Sequence, residues 1–420
     1  MISRTRWITF ACVAALFIAG LVAWRIGVNL GATQRGDGGF KVRSQVLGAA
    51  SQDIPWITDL TIGDLDRDGR LDVVYAEGRL NRIGWLRQQA NGGFEEQVLA
   101  ADVAGPAHVE VVDLDQDGDM DVLVAGMGIV TPNNDRIGAV IVLENDGGRF
   151  RVRTLVEQTY RVTDVQAGDL DGDGDLDLAV AKFGYLEGEV VWLENRGNWH
   201  FDSHVLLDLP GAIHVPIADV DADGDLDVLA LVSQDWEEVY CFDNDGRGNF
   251  SSRVVAGSTN RDFGSSGLAV ADVDQDGDSD LVLTNGDGFD YATPGSRPWH
   301  GVQWLENDGR GRFTFRRIGE MSGAYSPCVV DIDGDGDRDI VVSSGFNDWR
   351  SSDAIALAVF ENDGRQQFVR RTLAFEPTHL IVVDTADFDG DGRPELVTGG
   401  LCFYPPYERS TRLTHWRIER

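Results

Sequence analysis

The chain has 420 residues, 70 of them acidic against 36 basic, for a formal net charge of −34. A polyanion of this kind repels nucleic acid and anionic lipid headgroups, which excludes both as partners of the protein body. Hydrophobic residues make up 42% and recur along the whole length, so intrinsic disorder is excluded too.

The first element is apolar. Arg4 and Arg6 precede a run from Trp7 to Trp24, which Arg25 closes. That run exceeds the roughly 7–15 residues of a cleavable signal core and nears the roughly 20 of a membrane span. No convincing cleavage site follows it, so residues 1–30 read as an uncleaved signal-anchor or transmembrane helix rather than a cleaved signal. The basic end then stays in the cytoplasm and the remainder lies outside, periplasmic or extracellular, where calcium is abundant. A cleaved version would be secreted. Residues 31–38 read as a flexible linker, and GFKVRSQVL at 39–47 as a β-strand.

A nine-residue acidic loop then recurs seven times. Its acids are Asp64, Asp66, Asp68 and Asp72 in the first copy and Asp113, Asp115, Asp117 and Asp121 in the second. The third has Asp169, Asp171, Asp173 and Asp177, and the fourth Asp219, Asp221, Asp223 and Asp227. The fifth has Asp272, Asp274, Asp276 and Asp280, and the sixth Asp331, Asp333, Asp335 and Asp339. The seventh ends the series with Asp387, Asp389, Asp391 and Glu395. The starts are 49 to 59 residues apart, the length of one four-stranded propeller blade.

Acids at positions 1, 3, 5 and 9 let several carboxylates converge on one hard cation. Gly at position 6 permits the reversal, and position 7 offers its carbonyl. Calcium takes six to eight oxygens in flexible geometry and suits such a loop better than magnesium. About seven calcium ions are therefore expected. The first half resembles an EF-hand, but the Glu that an EF-hand needs at position 12 is replaced by Tyr75, Val124 and Val180 in the first three loops. Strands, not helices, flank the loops. A single copy would be only an acidic turn; seven copies with all four acids argue for metal.

A hairpin signature follows each of the first six loops: WLRQQANGGF at 85–94, VLENDGGRF at 142–150, WLENRGNWHF at 192–201, CFDNDGRGNF at 241–250, WLENDGRGRF at 304–313 and FENDGRQQF at 360–368. Its aromatics are expected to fill space between blades. One blade is then strand A, acidic loop, strand B, variable loop, strand C, tight turn and strand D. The seventh blade has strands near 380–386, 396–398 and 413–418 and lacks its fourth, which 39–47 can supply to close the ring. The expected fold is all-β: a seven-bladed β-propeller of four-stranded antiparallel blades over 39–420, preceded by the N-terminal helix. Cys12, Cys241, Cys328 and Cys402 show no metal spacing and no disulfide framework.

These loops and hairpins resemble FG-GAP repeats, in the form found in bacterial VCBS-type repeat proteins, a family similar to the propeller of integrin α subunits. The resemblance covers about residues 39–420 and implies the fold and calcium. The Phe-Gly and Gly-Ala-Pro signatures themselves are poor: Phe183-Gly184 and Phe263-Gly264 are isolated, and no Gly-Ala-Pro occurs.

The face opposite the acidic loops carries the B–C loops, where a carbohydrate or protein ligand is expected. Those of blades 5 to 7 hold Phe289, Tyr291, Trp299, His300, Phe346, Trp349, Arg350, Tyr404 and Tyr407, suited to stacking on sugars or clasping a peptide. His108 and His214 lie five residues before their loops, in register with Asp59 and Asp164, so these four are placed to ring the channel mouth. No nucleophile elbow, phosphate loop or dinucleotide fingerprint occurs. A binding or adhesion module is the leading expectation. A polysaccharide lyase or sugar dehydratase and an envelope assembly scaffold are the alternatives.

Overall fold

The computed structural model describes residues 34–50, 53–131, 133–234, 236–289 and 295–420. The expected N-terminal helix and Tyr291 lie outside these residues. Among the described residues no helix is long and apolar enough to cross a membrane.

The strands form seven antiparallel sheets in chain order, a seven-bladed propeller. Blade 1 runs Ile57–Gly63, Asp72–Glu77, Arg82–Gln88 and Phe94–Ala101 as strands A to D. Blades 2, 3, 5 and 6 repeat that order, with strand A starting at Pro106, Arg161, Ser265 and Ala324. In blade 4 strand A is split into Ala212–His214 and Ile217–Ala218, because Pro216 has no N–H to give the ladder.

Residue chemistry sets each strand's radius. Strand B begins at the position 9 acid and continues as an apolar run such as Asp121–Gly126, buried at every residue because blades cover both its faces. Strand D is outermost and mostly exposed, as in Phe94–Ala101. The core is a ring of seven clusters, each shared by two neighbouring blades. The hairpin aromatics lie in these seams: Trp85, Trp192 and Trp304 meet Phe150, Phe250 and Phe368 of the following blade at 6.4, 5.6 and 6.3 Å.

Blade 7 joins the two ends of the described chain. Leu380–Ala386, Glu395–Gly400 and Leu413–Glu419 are its strands A to C, and Lys41–Leu47 pairs along strand C from Lys41↔Glu419 to Leu47↔Leu413. The linker expected at 31–38 needs correction. Gln34–Arg35 is a fifth strand, reversed onto Lys41–Val42 through a short 3₁₀ turn in which Gly38 and Gly39 take φ of 68° and 98°.

The joint between blades 7 and 1 carries a buried charge network. Arg412, 7% exposed, lies 2.8 Å from Glu96 and 3.1 Å from Glu77, and donates to the Tyr75 hydroxyl at 2.9 Å. Burial alone would raise the Glu96 pKa, but Arg412, the Ala49 N–H and Tyr75 bring it down to about 2. Cys241, Cys328 and Cys402 are free thiols.

Candidate functional site

The acidic loops are held in shape by their own backbone. In the first, Asp64 accepts the N–H of Asp68 at 3.0 Å and of Gly69 at 2.8 Å. The position 6 glycines have φ between 83° and 102°, a left-handed turn that aims successive carboxylates inward.

The position 9 acid does a second job that the spacing alone did not reveal. Asp121 accepts the N–H of Leu114 at 3.1 Å, within its own loop, and of Asn145 at 2.8 Å, on strand C. Asp177, Asp227, Asp280 and Asp339 repeat both bonds. Burial pushes Asp72, Asp121, Asp177, Asp227 and Asp280 up to about 6 and Asp339 up to about 7, against the pull of these amides.

The hairpin asparagine completes the frame. Asn307 donates to Ser279 O at 3.0 Å in its own blade and to Val220 O at 2.7 Å in blade 4. Asn244 repeats this bridge to blade 3, and Gln88 carries it across the joint to Phe388 O at 2.8 Å. The hairpin motif therefore positions the acidic loop and, in blades 1, 4 and 5, ties it to the preceding blade.

The loop carboxylates converge. Oxygens of Asp64, Asp66 and Asp72, of Asp169, Asp171 and Asp177, and of Asp219, Asp221 and Asp227 lie within 4.8 Å of one another. So do those of Asp113, Asp115 and Asp117, and of Asp272, Asp274 and Asp276. Asp66 Oδ1, Asp219 Oδ1, Asp221 Oδ1 and Asp274 Oδ1 are buried without a hydrogen-bond partner. Burial, and then the neighbouring position 5 aspartate, raise the pKa of Asp115, Asp171, Asp221 and Asp274. Crowded, all-oxygen donors with orphaned lone pairs fit a hard cation.

The FG-GAP-like repeat family matches residues 64–124, 219–283 and 284–342, and each stretch spans at least one acidic loop. The protein is a seven-bladed propeller that carries FG-GAP-like repeats in these three stretches. The fold is similar to that of virginiamycin B lyase from Staphylococcus aureus, with a TM-score of 0.54 and 11% identity over 90% of this chain and 99% of that one. No curated protein sequence matches the chain.

In this propeller the A–B loops and C–D turns share one face, as Gly147 N–H to Asp119 Oδ2 at 2.8 Å illustrates. The B–C loops and D–A connections share the other. Near the axis, His108 Nδ1 lies 2.9 Å from Asp59 and 3.4 Å from Asp164, and Asp164 lies 3.6 Å from His214. The four residues expected at the channel mouth are thus brought together. Burial works against the His108 proton, but Asp164 and Asp59 outweigh it and raise the pKa to about 10. His108 Nε2 lies 3.1 Å from the Gln166 amide, and His214 Nε2 lies 3.1 Å from Ser266 O.

Above this knot is an axial cup of about 210 Å³, lined by residues from all seven blades. Phe183, Tyr185, Phe289, Tyr325, Phe346 and Phe403 form its aromatic wall. Phe289 lies 4.8 Å from Phe403 and 6.0 Å from Phe346, ring to ring, and the Arg161 guanidinium sits 4.8 Å over Phe183.

Of the described residues expected to bind ligand, Phe289 and Phe346 line the cup, and Phe346 is 4% exposed. Several others are corrected by the structure. Trp349 is 1% exposed, 5.2 Å from the His379 ring, and its carbonyl accepts from Arg409 at 2.6 Å. His300 is 1% exposed; burial, helped by Arg297 and Arg317, lowers its pKa to about 4. Tyr404 is partly buried and bonds the Asn347 backbone through its hydroxyl. Trp299 donates to Asp262 O at 2.6 Å, while Tyr407 opens the short 3₁₀ turn Tyr407–Arg409. Arg350 remains exposed and pairs with Asp348 at 3.0 Å. Long loops bury their own aromatics because each otherwise exposes more apolar surface than water tolerates. Phe183, Tyr185, Tyr325 and Phe403 were missed, since strand-end aromatics converge only once the ring has closed.

Proposed function

We propose that this protein is an extracytoplasmic, calcium-loaded binding module whose ligand enters the axial cup opposite the acidic loops. The aromatic cup is the observation that carries this reading: six rings from blades 3, 5, 6 and 7 converge with Arg161 on one hollow. Its volume is below the roughly 300–1,000 Å³ of sites that enclose a whole small molecule. It suits one sugar ring or one side chain presented by a larger carbohydrate or protein. The apolar run Trp7–Trp24 supports a membrane-anchored position outside the cytoplasm.

In each loop the acids at positions 1, 3, 5 and 9, with the position 7 carbonyl, would hold calcium. Bound calcium supplies an electrostatic cross-link between strands A and B. The chain's own part is to preset the carboxylates through backbone amides and, in blades 2 to 6, the hairpin asparagine.

The His108 knot supports binding over a lyase or dehydratase, because both histidines have each ring nitrogen against a polar neighbour. Titration of the full chain with a panel of oligosaccharides and short peptides tests the proposal. Phe183→Ala and Phe289→Ala should each weaken binding by more than about 1 kcal/mol. Turnover of a sugar that vanishes in His108→Gln would favour the enzyme instead.

A further inference from the structure

The seven acidic loops differ in what faces them from strand C. Pairing Val122 with Leu143 sets Glu144 opposite Asp121, and the same register places Glu194, Asp243, Glu306 and Glu361 in blades 3 to 6. Each acid is turned to a basic residue: Glu144 to Arg153 at 2.7 Å, Glu194 to His204 at 2.9 Å, Asp243 to Arg253 at 2.8 Å, Glu306 to Arg316, and Glu361 to Arg371 at 2.8 Å.

Blades 1 and 7 reverse the arrangement. The strand C residue is Arg87 in one and Arg417 in the other. The strand D position that holds Arg153 in blade 2 is Gln97 in blade 1 and Gln45 in blade 7. With no acid at the strand D position that holds Arg153 in blade 2, these arginines turn onto the loops. Arg87 lies 2.6 Å from Asp66 and 3.3 Å from Asp68, and Arg417 lies 2.9 Å from Asp389 and 2.8 Å from Glu395. Among the described residues no arginine forms an ion pair with the loop acids of blades 3, 4 and 5; Arg196 and Arg253 stay turned to strand C acids, and in blades 4 and 5 Asp219 Oδ1, Asp221 Oδ1 and Asp274 Oδ1 are orphaned. Blade 6 is intermediate, because Arg420 reaches across to Asp333.

We infer that the loops form two classes: those of blades 3, 4 and 5 are high-affinity divalent sites, and those of blades 1 and 7 are neutralised by a resident guanidinium and bind weakly. The inference rests on the calcium reading above. A fixed positive charge about 5 Å from a divalent ion weakens binding on the order of tenfold even at the dielectric of water. The exchange falls on the two blades that meet at the ring's joint. That joint then stays fastened by internal charge when calcium is withdrawn. Asp66 Oδ1 and Asp72 Oδ2 stay orphaned, so loop 1 is weakened rather than closed.

Hydrogen exchange of the full chain, read on loop peptides along a calcium titration, tests this. Chelation should accelerate exchange about tenfold or more in 169–177, 219–227 and 272–280, with the change complete at calcium concentrations that leave 64–72 and 387–395 unmoved. The double variant Arg87→Glu/Gln97→Arg copies the Glu144–Arg153 arrangement and should move 64–72 into the first class. Equal midpoints for all loops in the unaltered protein would overturn the inference without touching the calcium reading. Flat exchange at every loop would overturn both.

Discussion

The joint of the ring and the side opposite it hold the same loop in shape by different means. In blades 1 and 7, Arg87 and Arg417 supply positive charge from within the chain. In blades 3, 4 and 5 the carboxylates crowd one another with no such counter-charge. One sequence motif thus serves both as a self-neutralised turn and as a turn that needs a partner. The difference is set one strand away, on strand C.

The largest expected effect comes from breaking the joint itself. Deleting residues 41–47 removes strand D of blade 7 and leaves the edge of Leu413–Glu419 unpaired. The variant should aggregate or fail to unfold cooperatively, as read by calorimetry and light scattering; an unchanged melting transition would contradict the closure. Chelation acts next, on the opposite side. Sites of about 10⁻⁴ M with calcium ten-fold higher contribute roughly 1.4 kcal/mol each. Stripping blades 3 to 5 should therefore lower the melting temperature by roughly 5 °C.

Arg412→Met separates the two mechanisms. It leaves Glu96 without its cation and Glu77 with Arg82 alone, and should destabilise by roughly 3 kcal/mol, equally with and without calcium. The sign with pH follows from Glu96, whose folded pKa of about 2 lies below its ordinary 4.5. Its contribution is full above about 4.5 and is lost as pH falls through about 2. The stability gap between the unaltered protein and Arg412→Met should narrow over that window and stay flat above it. The smallest effect concerns the hairpin. Asn307→Ala removes donors to Ser279 O and Val220 O and should cost about 1–3 kcal/mol. If the asparagine frames the metal loop, the variant should also bind fewer calcium ions, counted by titration calorimetry.

The acidic loops were legible in the sequence because their donors sit within nine consecutive residues. Strand boundaries were legible for a related reason: behind the position 9 acid, Val122–Ala125 is an unbroken apolar run, as suits a strand covered on both faces. The ligand face was not. Trp349 and Phe346 looked like exposed platforms, yet they are buried where the loops of blades 6 and 7 pack on each other. Nothing local distinguishes an aromatic that greets a ligand from one that seals its own loop.

By itself, then, the sequence determined the repeat, the seven carboxylate sets and the strand available to complete blade 7, since each depends on spacing along one short segment. The tertiary structure alone decided the cup and the two classes of loop. Phe183, Phe289 and Phe403 are more than 100 residues apart in succession and meet only around the axis of a closed ring. Arg87 and Arg417 acquire their role only through strand register, which sets each guanidinium opposite a position 9 acid. Spacing can encode a turn, but which charge faces that turn is a property of the neighbouring strand.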